Sequence, residues 1–137
     1  MSGDFYDIEK AFLNRFYDGG FRHDLDIAFD NLPYTPTIGT PYAEVFVIQN
    51  DITPYSLKHT NETDGIFRVI LRYPVNESTK AIKEKAQEIF DWFKIGSRYT
   101  FNGQKVTVTR HMMDRGIHEA GWYKMVLTMY WKAFLSR

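Results

Sequence analysis

Between Asp4 and Tyr17 the apolar residues Phe5, Ile8, Phe12 and Phe16 recur in steps of three and four, with Ala11 beside them. That spacing lays one apolar stripe along a helix. Asp4 or Ser2 is placed to cap it, Asp7 and Glu9 suit its positive end, and the glycines after Asp18 stop it. A second such pattern runs from Ser78 to Lys94. Ile82, Ala86, Ile89, Phe90 and Phe93 form its apolar side, and Lys80, Lys83, Glu84, Lys85 and Glu88 its wet side. Ser78 is the expected cap and Gly96 the stop.

The remaining apolar runs have the period of strands. Asp26–Phe29 is short, Ala43–Gln49 is β-branched and aromatic, and Gly65–Tyr73 alternates cleanly. In the last, Phe67, Val69, Leu71 and Tyr73 share one face, and Ile66, Arg68, Ile70 and Arg72 the other. The first face belongs to a core; the second, aliphatic with two arginines, suits solvent or a partner. Asn102-Gly103 between β-favouring runs predicts a tight type I′ hairpin over Tyr99–Met112. A final strand spans Trp122–Phe134. Asp51–Asp64 reads as a long polar loop, and Met112–Gly121 as a charged connector. The order is helix, three strands, helix, three strands. It predicts an α+β fold with a single antiparallel or mixed sheet of about six strands, both helices packed on one face.

At 137 residues the chain has the length of one domain, expected to span 1–137, with no repeat, low-complexity tract or linker. Aromatics at 17% are abundant, which suits either a ring-filled core or an interface. Net charge is zero, but residues 1–30 hold three bases against seven acids, and residues 94–137 eight bases against two acids. Such unlike ends pair either within one fold or between neighbouring subunits. No segment has the ~20 apolar residues of a membrane span. The N-terminal acids interrupt any signal-like run, so an intracellular product is expected.

Catalytic chemistry finds little footing. Cysteine is absent, no serine lies in G-x-S-x-G, and no glycine-rich loop carries the lysine of a phosphate cradle. His111, Asp114, His118 and Glu119 fall close together, but a polar loop explains them better than a metal. The basic, aromatic C-terminal part suggests a single-strand nucleic-acid surface only until the acidic N-terminal part is counted. The expectation is a protein without catalytic, cofactor or metal residues, and without sequence-specific nucleic-acid or membrane binding.

Three motifs follow one another along nearly the whole chain. The first is Phe29, Asp30, Asn31, Pro33, Tyr34, Pro36, Gly39, Pro41 and Tyr42, leading into a strand. Gly65, Phe67, Val69, Leu71, Tyr73 and Pro74 make the second, and Gly121, Trp122 and Tyr123 open the last strand. In this ordered set the chain resembles the tail terminator, or tail completion, proteins of long-tailed bacteriophages. It departs from them in the polar stretch after its second strand. The resemblance implies a structural virion protein with no reaction. It would form a homo-oligomeric ring, hexameric in the family, on the head-proximal end of the tail tube. It would end tube polymerisation and dock the head–tail connector or stopper, with DNA passing through, after assembly in the host cytoplasm. The alternatives are another connector component (a stopper or head-completion protein), or a small α+β ligand-binding or enzymatic domain.

A closed ring needs two unlike surfaces on each subunit. Arg68 and Arg72 are the expected subunit contacts, with Asp24, Asp26 and Asp30 as partners and Tyr34 and Tyr42 framing them. The tube and connector contacts are expected at Tyr55, Lys58 and His59 in one loop, and at Asp114, Arg115, His118 and Glu119 in another. Trp122 and Tyr123 suit the core better than an interface. Ile27–Tyr42, with three prolines and no lysine or arginine, reads as a stiff strap between the first two strands.

Overall fold

A computed structural model describes residues 5–29, 34–54, 60–75 and 78–136. Along the chain run α1 (Phe5–Asp18), a 3-10 turn (Phe21–His23), β1 (Asp26–Phe29), β2 (Tyr42–Pro54), β3 (Thr60–Pro74), α2 (Lys80–Trp92), β4 (Arg98–Phe101), β5 (Gln104–Met113), β6 (Ile117–Glu119) and β7 (Trp122–Ser136). The sheet order is β1-β2-β3-β7-β5-β4, with β6 also on β7. Only β1 and β2 are parallel. The expected α+β class, with two helices on one sheet face, is what the chain adopts.

β3 and β7 form the spine, paired from Thr60 opposite Ser136 to Pro74 opposite Trp122 without a register shift. Their apolar alternates therefore point the same way. Phe67, Val69 and Leu71 lie beside Met129, Leu127 and Met125, all fully or nearly fully buried. Above them α1 contributes Ile8, Ala11, Phe12 and Phe16, and α2 contributes Ile82, Ala86 and Ile89. Aromatic rings fill the middle: Phe12 stacks on Phe67 at 5.1 Å, and Phe93 lies 5.2 Å from the same ring. Truncating a ring buried to this degree costs about 3–5 kcal/mol. Core packing thus accounts for many of the aromatics, while Phe5, Tyr6 and Tyr17 of α1 stay exposed.

Arg15 and Trp92 clamp the two helices. The Arg15 guanidinium donates to the Trp92 carbonyl at 2.9 Å and lies 3.4 Å from its ring centre, while the indole Nε1 donates to the Arg15 carbonyl at 2.6 Å. The N-cap of α2 is Thr79, which makes no side-chain cap bond, rather than the expected Ser78, whose hydroxyl accepts the Lys80 amide at 3.4 Å from one residue further out.

Phe5, expected on the apolar stripe of α1, is among its exposed residues. Three further expectations change. In the polar Asp51–Asp64 stretch, residues 51–54 continue β2 and residues 60–64 begin β3, the residues between lying outside those described, and polar side chains join the two strands where the stretch starts and ends. Gln49 donates to Thr63 and Asn50 to Asp64, each at 3.1 Å, so no apolar alternation marks the pairing. The Met112–Gly121 connector is the end of β5 followed by a tight β6–β7 hairpin, whose turn uses positive φ at Ala120 (51°) and Gly121 (86°). Lys85, expected on the wet side of α2, is buried, because Asp24 and Glu88 meet its ammonium at 2.6 and 2.7 Å. The Asn102-Gly103 turn has the positive φ values, 51° and 82°, that its sequence calls for.

Gly65 sits where β2, β3 and β7 run closest. A Cβ there would collide with the Ile48 carbonyl oxygen and the Trp131 indole. Gly65→Ala should therefore cost about 3 kcal/mol or more, as an overpacked and strained sheet centre. Urea unfolding of the variant against the parent chain measures this.

Candidate functional site

No described helix lies on the other face of the sheet. Across it run Glu44, Phe46 and Ile48 of β2, Ile66, Arg68, Ile70 and Arg72 of β3, and Lys124, Val126, Thr128 and Tyr130 of β7. Arg68 stands between Phe46 and Thr128 in the middle of this face. Its Nε is buried and has no hydrogen-bond partner among the described residues. A polar group left this way costs free energy until something accepts its proton.

Arg72, four residues along, is engaged within its own chain. It pairs with Glu44 of β2 and, at 3.4 Å, with Glu119 of β6. Lys124 adds a second cation 3.3 Å from Glu119. Lys124, with Arg72 behind it, holds the Glu119 carboxyl below the ordinary range. The sequence reading missed Glu44 and Lys124. Their signal was present in the strand period, since Glu44, Arg72 and Lys124 share a face once β2, β3 and β7 are in register.

Beside this cluster the strap returns to the sheet. Tyr34 packs on Tyr42 at 5.1 Å, Tyr42 meets Trp122 edge-on at 5.1 Å, and the Tyr34 hydroxyl donates to Asp26 at 3.1 Å. Tyr42 is buried by these contacts. Asp24 binds Lys85, which holds its carboxyl low. Burial opposes the charge on Lys85, yet the hydrogen bonds it donates to Asp24 and Glu88 outweigh burial and raise its pKa. Within one chain the structure thus gives Asp24, Asp26 and Arg72 partners of their own and brings neither acid to the two arginines. Asp30, Tyr55, Lys58 and His59 lie outside the described residues.

Asp114 and Arg115 are exposed in the bend between β5 and β6, and His118 and Glu119 are exposed on β6. His118 packs on Tyr123 at 5.5 Å. His111 is turned the other way, stacked on Phe90 at 4.4 Å with Nε2 donating to the Phe93 carbonyl at 2.5 Å. Among the described residues no group of three or more His, Asp or Glu side chains converges as a metal site would require. No described helix is long and apolar enough to cross a membrane.

A family model described as "Phage tail terminator protein" matches residues 7–131. The chain belongs to the phage tail terminator family. Tail terminators are structural proteins of the phage tail, which places this one in the virion tail in company with other tail or head components. No curated protein matches its sequence. Six solved chains match its fold. One of them superposes with a TM-score of 0.68 at 18% identity, covering 90% of each chain, a likeness that speaks for the fold alone.

The strap of this terminator has a titration of its own. Burial, and then the hydrogen bond to Asp26, raise the Tyr34 phenol to about 12. A group whose folded pKa lies above its unfolded value of ~10 adds stability that is complete below that value and lost as pH rises through the folded one. Alkaline absorbance titration of the folded protein should therefore show a late tyrosine near pH 12. Tyr34→Phe should remove it and leave the remaining phenolate transitions in place.

Proposed function

We propose that the chain forms a closed ring, hexameric as its family resemblance implies, on the head-proximal end of the finished tail tube. There it stops tube polymerisation and presents the surface on which the head connector docks. One observation carries this reading. The long β3–β7 ladder has two separate ends. At one, Pro54 pairs with Asn61 and Thr60 faces Ser136; at the other, β6 and the exposed residues before it lie where Pro74 faces Trp122. A strand of 15 residues spans roughly 50 Å. A subunit standing with its strands along the tail axis would offer one end to the tube and the other to the connector. The spine of the sheet would then link the two contacts rigidly.

The open face takes a further contact in this arrangement, centred on Arg68. Its buried, unmatched Nε is a cost in the isolated subunit, and a carboxylate or carbonyl on an adjoining component would relieve it.

Added to polymerising tail-tube protein, the purified chain should cap tubes at one end, with ring density there in electron micrographs and elongation halted. Tubes that lengthen as if nothing were added would remove this reading. Density at a free connector rather than a tube end would favour a stopper. Arg68→Met should fold with stability unchanged or higher by about 1 kcal/mol, yet cap tubes poorly. A loss of stability by thermal melting with capping intact would show Arg68 to be structural.

A further inference from the structure

We infer that ring closure, on the ring reading above, is made by the two unlike ends of the sheet: the acidic β1 end of one copy sits against the basic β4–β5 groove of the next. The strand order decides where the chain's unequal charge goes. β1 stands at one end of the sheet and β4 at the other, with β2, β3, β7 and β5 between. Neighbouring strands are about 4.8 Å apart, so roughly 24 Å of sheet separates the two ends. The acids of α1 lie over β4 and β5, where Asp7 meets Asn102 of the β4–β5 turn, but Asp18 and Asp26 stand at the β1 end, away from the cations of β4 and β5.

The basic end is a built surface. Residues 94–113 carry Lys94, Arg98, Lys105 and Arg110 and no acid. Arg98, Lys105 and Lys132 line an open groove of about 440 Å³, floored by Ala133 and Phe134. None of these three cations has a carboxylate partner among the described residues, whereas Arg72, Lys85 and Lys124 all do. The groove therefore combines unneutralised positive charge with an apolar floor, as an interface core with a charged rim does.

The opposite end has the complementary sign. Asp18 closes α1 and Asp26 opens β1, and both are exposed; Asp24, between them, is already matched by Lys85. Asp26 is bonded to a phenol, not to a cation. Arg22, in the same stretch, is folded back onto Tyr17, 2.8 Å from its carbonyl and 3.8 Å from its ring centre. One surface on each end, opposite in charge and on the same molecule, is the requirement for a heterologous contact that closes into a ring. Like ends repel, so the charge also forbids the two-fold dimer that would compete with it.

The absence of cysteine makes a direct test clean. Chains carrying Ala28→Cys and Thr100→Cys, mixed and assembled on tube ends, should be joined by a short bismaleimide. Neither variant alone should cross-link to itself. Arg98→Glu with Lys105→Glu should weaken association at least about tenfold, and adding Asp26→Lys with Asp18→Lys in the same chain should recover it. Circular dichroism of each variant separates lost contact from lost fold, and the cysteine pair serves where a charge variant fails to fold. Rings that form normally in the unreversed Arg98→Glu, Lys105→Glu chain, or cysteines that cross-link like to like, overturn this interface and leave the ring reading standing. A parent chain that makes no ring on tube ends removes the ring reading and this interface with it.

Discussion

The structure hangs on the pairing of β3 with β7. These strands are far apart in sequence, with Gly65 opposite Trp131 across a long connection containing α2, β4, β5 and β6. Their ladder runs the full length of both without a bulge, so one parity holds over all of it. A slip of one residue would turn Phe67, Val69 and Leu71 outward and bring Arg68 and Arg72 into the core. β2 then adds to β3 and β5 to β7, each with a single register shift, at Gln49–Ile52 and at Val108–Arg110. Both shifts lie in the flanking strands; the spine itself stays regular.

From that parity follows a sheet with two unlike faces. The covered face is closed by two helices that Arg15 and Trp92 fasten to each other. It is further held by Asp7 of α1, which accepts a bond from Asn102 in the β4–β5 turn at 3.4 Å. Lys85 ties α2 to the 3-10 turn through Asp24. The other face carries no described helix. It keeps its charges in order chiefly by pairing them along neighbouring strands, Arg72 with Glu44 and Lys124 with Glu119, and leaves Arg68 as the exception. A surface protein that merely faced solvent would gain by replacing such an arginine with a neutral residue of similar length. Its presence favours the reading of this face as one that is covered in the assembled tail.

Much of this was legible in the sequence because local rules and tertiary structure agree there. The steps of three and four in α1 and α2, the alternation of β3 and the Asn102-Gly103 turn each answer to one local cause. What escaped was set by partners distant in sequence. Lys85 looked solvated because its charge is matched by Asp24, in another element. The arm of β2 and β3 looked like a loop because polar side chains hold it together. β6 is too short, at three residues, to show a period, and its turn uses Ala120 where a glycine or asparagine would have given it away. The assembly contacts were the least legible. The strand period put Arg68 and Arg72 together on one face, but only the register of β2 and β6 shows that Arg72 is already occupied.

The proline-rich strap acquires a cause from topology. Asp26 to Phe29 pair with Tyr42 to Val45 in the same direction, and parallel neighbours cannot be joined by a tight turn. The chain must return from the end of β1 to the start of β2, which takes a dozen residues or more; twelve separate Phe29 from Tyr42 here. A helix usually makes such a return. Here prolines limit the freedom of the unfolded segment, lowering the entropy lost when it is laid down. Tyr34, within the strap, is then pinned to Asp26, the first residue of β1. The strap thus does more than connect two strands. It fixes the parallel edge that carries the acidic end of the sheet, so the stiffness of an uncharged segment sets where a charged surface stands.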